Sequence, residues 1–254
     1  MPLLEAREVS KRFGGLQALA GVSLSIEAGE IYGLIGPNGA GKTTFFNCLT
    51  GLVGIDAGSF VFAGAPLPPA APHRAAERGI ARTFQNIRLF PNMSVIENVM
   101  VGRHVRTRTG VFGAVFGTAR ARAEEREIHQ RAAALLEFVG LDGRANELAR
   151  SLAYGDQRRL EIARALATAP RLLALDEPAA GMNETETAGL RRLLESIRAD
   201  GTTLLLIEHD VKLVMSLSDR IAVLDYGRKI AEGPAAEVRR DRAVIDAYLG
   251  QSDA

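Results

Sequence analysis

An α/β fold built around a largely parallel sheet is what this sequence predicts, and three observations carry the prediction. Short apolar runs alternate with helix-forming segments through most of the chain. A glycine-rich turn, Gly36 to Thr43, stands between an apolar run and a helix-forming one. A second apolar run, Leu172 to Leu175, ends on two adjacent acids, Asp176 and Glu177.

Taken in order, Leu3 to Val9 and Val22 to Ile26 read as short strands, and Ile31 to Ile35 as a buried one. A helix follows from about Lys42 to Gly51. The Pro/Ala-rich run Ala65 to Pro72 reads as a surface loop. Ala119 to Val139 has helix-forming composition, charged in its first half and apolar along a stripe in its second. Another helix is expected from Gly155 to Ala169, stopped by Pro170. After the strand at Leu172, a helix should start with Asn183 as N-cap and Glu186 as its capping-box partner. Its apolar face carries Leu190, Leu193, Leu194 and Ile197, and Gly201 ends it. Leu204 to Ile207 is a further buried strand. The tail holds a hairpin around Tyr226–Gly227 and two short helices ending near Leu249. One domain, 1–254, is expected, with a helical lobe inserted between about 87 and 160.

Composition narrows the class. A chain of 254 residues, 47% hydrophobic and 24% charged, can bury a sizeable core. Its net charge of +1 supplies no basic surface, so no nucleic-acid partner is expected. The single cysteine, Cys48, excludes an intrachain disulfide, fits a reducing compartment and reads as a small buried hydrophobe. The N-terminus does not read as a signal peptide. The nearest candidate for a membrane span, Gly110 to Gly117, is far below the ~18 apolar residues a span needs. Work at a membrane would therefore need a partner that supplies the span.

The chemistry starts at Gly36-Pro37-Asn38-Gly39-Ala40-Gly41-Lys42-Thr43, which fits G-x-x-x-x-G-K-[ST]. A triphosphate needs a ring of donors at close range. Glycines let backbone N–H groups turn inward as an anion nest, and the following helix adds its positive end. Lys42 would meet the β- and γ-phosphates, the Thr43 hydroxyl a Mg²⁺ ion, and Thr44 a further phosphate oxygen. ATP and Mg²⁺ are the cofactors this implies. Asp176 and Glu177 then sit at the strand edge where parallel sheets bind ligands. Asp176 would hold the metal, directly or through water, and Glu177 would orient and deprotonate an attacking water.

With these residues in view, the chain resembles the nucleotide-binding subunits of ATP-binding-cassette transporters over nearly its whole length. The resemblance implies a phosphate-loop ATPase core with an N-terminal antiparallel β subdomain and an inserted α-helical lobe. It implies that two subunits clamp two ATP molecules, each site joining one subunit's phosphate loop to the other's signature segment. That segment here is Ala153-Tyr154-Gly155-Asp156, preceded by Leu152. It departs from the common pattern, which has Ser at Ala153 and Gln at Asp156. Ala153 lacks a hydroxyl for the γ-phosphate and Asp156 adds a negative charge, while the backbone donors remain. By the same resemblance Gln85 senses the metal and the attacking water, His209 contacts the γ-phosphate, and Phe13 stacks on adenine. Ala179 to Asn183 occupies the place of the loop that contacts the second cassette, with a different sequence from the usual Ser-Ala-Leu-Asp.

Within the family the chain looks closest to branched-chain amino-acid importers. Arg82 to Phe90, the Tyr154 signature, Pro178 to Asn183, Ile207 to Met215, Leu224 to Ile230 and the Val101–Ala123 insertion carry that likeness. It implies a second cassette, usually a different chain, two transmembrane permease subunits, an external solute-binding protein, and a peripheral place on the cytoplasmic face of the membrane. Residues from Asn86 to Val99 would face the permease. Importers of urea or other solutes and exporters of lipopolysaccharide have similar cassettes, so the solute stays open. A small kinase sharing the phosphate loop would leave Leu152 to Asp156 unexplained. Cassettes acting on ribosomes or DNA usually carry two copies per chain or a long coiled coil.

Overall fold

The computed structural model describes residues 1–103 and 118–249. The run Gly110–Gly117 and most of the Val101–Ala123 insertion therefore lie outside the described residues.

Two sheets organise the molecule. Strands β1 (Leu4–Phe13), β2 (Leu16–Ile26), β4 (Ala57–Phe62) and β5 (Ala65–Pro66) form an antiparallel sheet in the order β2-β1-β4-β5. Strands β3 (Ile31–Ile35), β6 (Ile80–Arg82), β7 (Leu172–Asp176), β8 (Thr203–Ile207), β9 (Arg220–Asp225) and β10 (Arg228–Gly233) form the second, ordered β10-β9-β3-β8-β7-β6. Its pairings are parallel except for the β9–β10 hairpin.

Both faces of the parallel sheet are covered, as its unbroken apolar strands require. Alternate residues point to opposite sides. Ile31, Ile35, Leu173, Leu175, Leu204 and Leu206 join one core cluster, and Tyr32, Leu34, Leu172, Ala174, Leu205 and Ile207 join the other. The first cluster holds the helices α3 (Val95–Arg103), α4 (Ala119–Val139), α5 (Tyr154–Ala167), α6 (Glu184–Ala199) and α7 (Val211–Leu217). The second holds helix α1 (Lys42–Leu49) and the antiparallel sheet. Cys48 lies in that second cluster, and burial pushes its thiol up to about 11.

Helix α6 follows its sequence closely. The Asn183 side chain accepts from Glu186 N–H and the Glu186 carboxylate accepts from Asn183 N–H, a complete capping box. Leu190, Leu193, Leu194 and Ile197 are its buried residues. Asn183→Ala is expected to cost about 1 kcal/mol in urea unfolding, because it leaves a first-turn N–H without its acceptor.

Some expectations are corrected. Strands β1 and β2 extend inward to a tight turn at Gly14 and Gly15, because cross-strand pairing carries polar residues such as Lys11 and Gln17. The Ala65 to Pro72 loop contributes the short edge strand β5, and its Pro72 starts helix α2 (Pro72–Arg78). Helix α5 begins at Tyr154 and ends at Ala167, with Thr168 as C-cap. The hairpin at Tyr226–Gly227 is as expected: φ is 42° at Tyr226 and 75° at Gly227, the two left-handed residues of a tight hairpin turn. Two short helices, α8 (Ala235–Val238) and α9 (Arg242–Leu249), close the described chain. No helix among the described residues is long and apolar enough to cross a membrane.

Candidate nucleotide site

The site forms where strands β3, β7 and β8 end together. The loop after β3 wraps the start of α1, and its shape depends on glycine. A Cβ at Gly36 would lie 2.1 Å from the Leu224 carbonyl oxygen, and one at Gly41 2.5 Å from that of Ala18. Gly41, at φ 100°, is the N-cap of α1, which leaves the first-turn N–H groups of that helix directed into the loop. The Lys42 ammonium, 5% exposed, donates to the carbonyls of Gly36 (2.6 Å) and Pro37 (2.9 Å). Burial lowers its pKa, and the charges of Glu177 and Asp176 oppose that shift.

Asp176 ends β7 and is buried. Burial raises its pKa, against the pull of the Arg82 guanidinium 3.8 Å away. Arg82 is held in turn by Asn47 and Thr50 of the α1 segment. Glu177 follows in a left-handed conformation, φ 47°, which costs a non-glycine residue about 1–2 kcal/mol. That backbone turn aims its carboxylate across the cleft. Oε2 accepts from Gln85 Nε2 at 2.9 Å, and Oε1 stands 2.6 Å from His209 Nε2. Three residues far apart in sequence thus meet at one carboxylate.

These groups line a cleft of about 480 Å³ that also takes in Phe13, Asn38, Gly39, Ala40, Thr43 and Thr44. Phe13 is half exposed there, with the Lys11 ammonium 5.3 Å from its ring centre. Among the described residues no group of three or more His, Cys, Asp or Glu could hold a metal alone. For a metal beside the phosphates the cleft offers the Thr43 hydroxyl and the Gln85 amide, with the Asp176 carboxylate next to Glu177. Such hard oxygen donors suit Mg²⁺ shared with phosphates rather than a closed protein cage.

The signature segment stands elsewhere. Ala153 is the N-cap of α5, Tyr154 is exposed and Gly155 is buried against Glu186, whose Oε1 would lie 2.9 Å from an added Cβ. Ala153, Gly155 and Glu186, with Asp156 and Met182, line a separate hollow of about 80 Å³. The negative charge that Asp156 brings is offset, because its Oδ2 accepts from Arg144 at 2.7 Å.

Several residues of this region were given no part in the site by the sequence. Tyr226, 80% exposed, is carried into the cleft by the β9–β10 turn. Arg158, fully buried, donates to the carbonyls of Phe84 (2.7 Å) and Gln85 (2.8 Å) while paired with Glu161 at 2.8 Å. It ties the signature helix to the Gln85 loop. Glu208 is buried beside His209. The charged pattern of α5 in an otherwise apolar helix is the one signal that could have pointed to Arg158 and Glu161.

Similarity to known proteins decides the family. Residues 19–180 match the family model described as ABC transporter. The chain belongs to the ABC transporter family. Residues 228–254 also match a model described as branched-chain amino acid ATP-binding cassette transporter. The cassette is 47% identical over 252 residues to a high-affinity branched-chain amino acid transport ATP-binding protein, BraF of Pseudomonas aeruginosa, covering 99% of each chain. It is 48% identical to the LivG protein of the same description from Escherichia coli K12, again covering 99% of each. Among solved structures, the ADP conformation of an ATP-binding cassette of an ABC transporter superposes with a TM-score of 0.86 at 32% identity, covering 98% of this chain and 99% of that one. The cassette is an ATP-binding ATPase of the α/β class, and its core and antiparallel sheet are those of the family.

Proposed function

We propose that this cassette powers import of branched-chain amino acids, hydrolysing ATP held in the cleft between Phe13 and the Gly36–Thr44 loop. The observation that carries the chemistry is the convergence of Gln85 and His209 on Glu177 at 2.9 and 2.6 Å. Glu177 takes a proton from water, Gln85 orients that water and His209 holds the γ-phosphate side of the site. The loop N–H groups and Lys42 bind the phosphate chain, Thr44 adds a phosphate contact, and Phe13 stacks on the base. Thr43, Asp176 and Gln85 would hold Mg²⁺, which neutralises charge on the phosphates. Ala153 to Asp156 complete the site of a second cassette, and the Arg144 ion pair keeps Asp156 from repelling that cassette's nucleotide.

Two permease subunits are the membrane partners, with the cassette held at the cytoplasmic face and fed indirectly by a solute-binding protein. The second cassette is a different chain. The permease docks beside the 86–99 segment, where Leu52 and Phe90, each about half exposed, flank a cleft of about 390 Å³. The substrate assignment rests on the relatives, since nothing in a cassette touches solute.

Proteoliposomes holding the cassette with its permease and partner cassette test this reading. Solute-binding protein loaded with leucine, isoleucine or valine is expected to raise ATP hydrolysis, and protein loaded with urea is not. Stimulation by another solute alone would keep the ATPase and overturn the substrate.

A further inference from the structure

The buried acid beside His209 has no part in the chemistry above. Glu208 is 3% exposed at the end of β8. Its Oε1 accepts from Ala179 N–H at 2.6 Å, and its Oε2 from His209 N–H at 3.2 Å. Buried carboxylates persist where backbone donors satisfy them, and this one receives them from two different segments. Ala179 lies two residues past Glu177, and His209 is the next residue along the chain. The Glu177 N–H also donates to the Ile207 carbonyl at 2.8 Å. The loop after Glu177 is thus pinned twice to the strand end that bears His209.

We propose that Glu208 is a positioning residue that sets the register between Glu177 and His209. The inference rests on the roles given above to those two residues. Without Glu208 the Glu177–Ile207 bond is the backbone link left between the loop after Glu177 and the His209 segment, and the Glu177–His209 side-chain contact must hold the rest. The left-handed backbone of Glu177 then lacks part of the packing that holds it, and the 2.6 Å approach of Glu177 to His209 widens. Glu208 touches no reacting atom and acts through the segments it joins.

The test uses the full chain labelled with ¹⁵N-histidine, with His209→Ala identifying the His209 ring among the four histidines. Glu208→Ala is expected to shift the His209 Nε2 resonance toward that of a ring without a hydrogen-bond partner, leaving the other three unmoved. Hydrolysis measured on the same variant should fall about 10- to 100-fold in kcat, with KM for ATP held within about twofold. In the His209→Ala background the same substitution should cost less than about threefold, because the group it registers is gone. An unmoved His209 resonance in folded Glu208→Ala, or an equal loss of kcat in both backgrounds, would overturn the proposal. If Glu208→Ala does not fold, Glu208→Gln carries the same expectation, since with its oxygen kept on Ala179 N–H its amide sets a donor against the His209 N–H. Glu177→Gln, run alongside, separates the two readings. Full hydrolysis by that variant removes the catalytic role of Glu177, whereas the His209 resonance judges Glu208 independently.

Discussion

Glu177→Gln is expected to lower ATP hydrolysis by about 10²- to 10⁴-fold while leaving ATP binding in place. The amide has nearly the same shape, so the left-handed turn after β7 and the bond from its N–H to Ile207 survive. What is lost is a group able to accept a proton from water. The Gln85 amide, now a donor at 2.9 Å from Glu177, can still find the amide oxygen of the new side chain. Equilibrium binding of labelled ATP should therefore change little while phosphate release nearly stops. Retained hydrolysis with the same protein fold would move the general base elsewhere in the cleft.

The second large effect is on stability. Arg158→Met is expected to destabilise the fold by about 3–5 kcal/mol in urea unfolding, because it strands the Glu161 carboxylate at 1% exposure without its cation. Adding Glu161→Leu should restore most of that loss, since the unpaired buried charge is gone. It should not restore hydrolysis. The carbonyls of Phe84 and Gln85 still lack the donors that Arg158 supplied, and the Gln85 loop is no longer held to the signature helix. A double variant that regains both stability and activity would show that Arg158 only fills space.

How much of this was legible beforehand depended on the range of the interactions. The Asn183 capping box, the Tyr226–Gly227 turn and the Gly36–Thr43 loop are set by residues within a few positions of each other, and local chemistry is sufficient to read them. Strands β4 and β6 were not foreseen. Ala57–Phe62 begins with a left-handed glycine at Gly58, and Ile80–Arg82 is only three residues long, so neither has a period of its own. Both exist because a neighbouring strand accepts them. The site divides in the same way. The loop and the Asp176–Glu177 pair are read from spacing. Gln85 and His209 needed family likeness, since their approach to Glu177 spans 92 residues of chain in one case. Neither spacing nor likeness gave Glu208 or Arg158 a role. Their partners, Ala179 and the Phe84–Gln85 carbonyls, lie 29 and more than 70 residues away.

The central claim is that this cassette hydrolyses ATP to drive branched-chain amino-acid uptake. Its most direct test is uptake of labelled leucine, isoleucine and valine in cells lacking the gene, complemented with wild type or Glu177→Gln. The account predicts that uptake of all three falls and returns only with wild type. Unchanged uptake of the three with loss of another solute, or full rescue by Glu177→Gln, would contradict it.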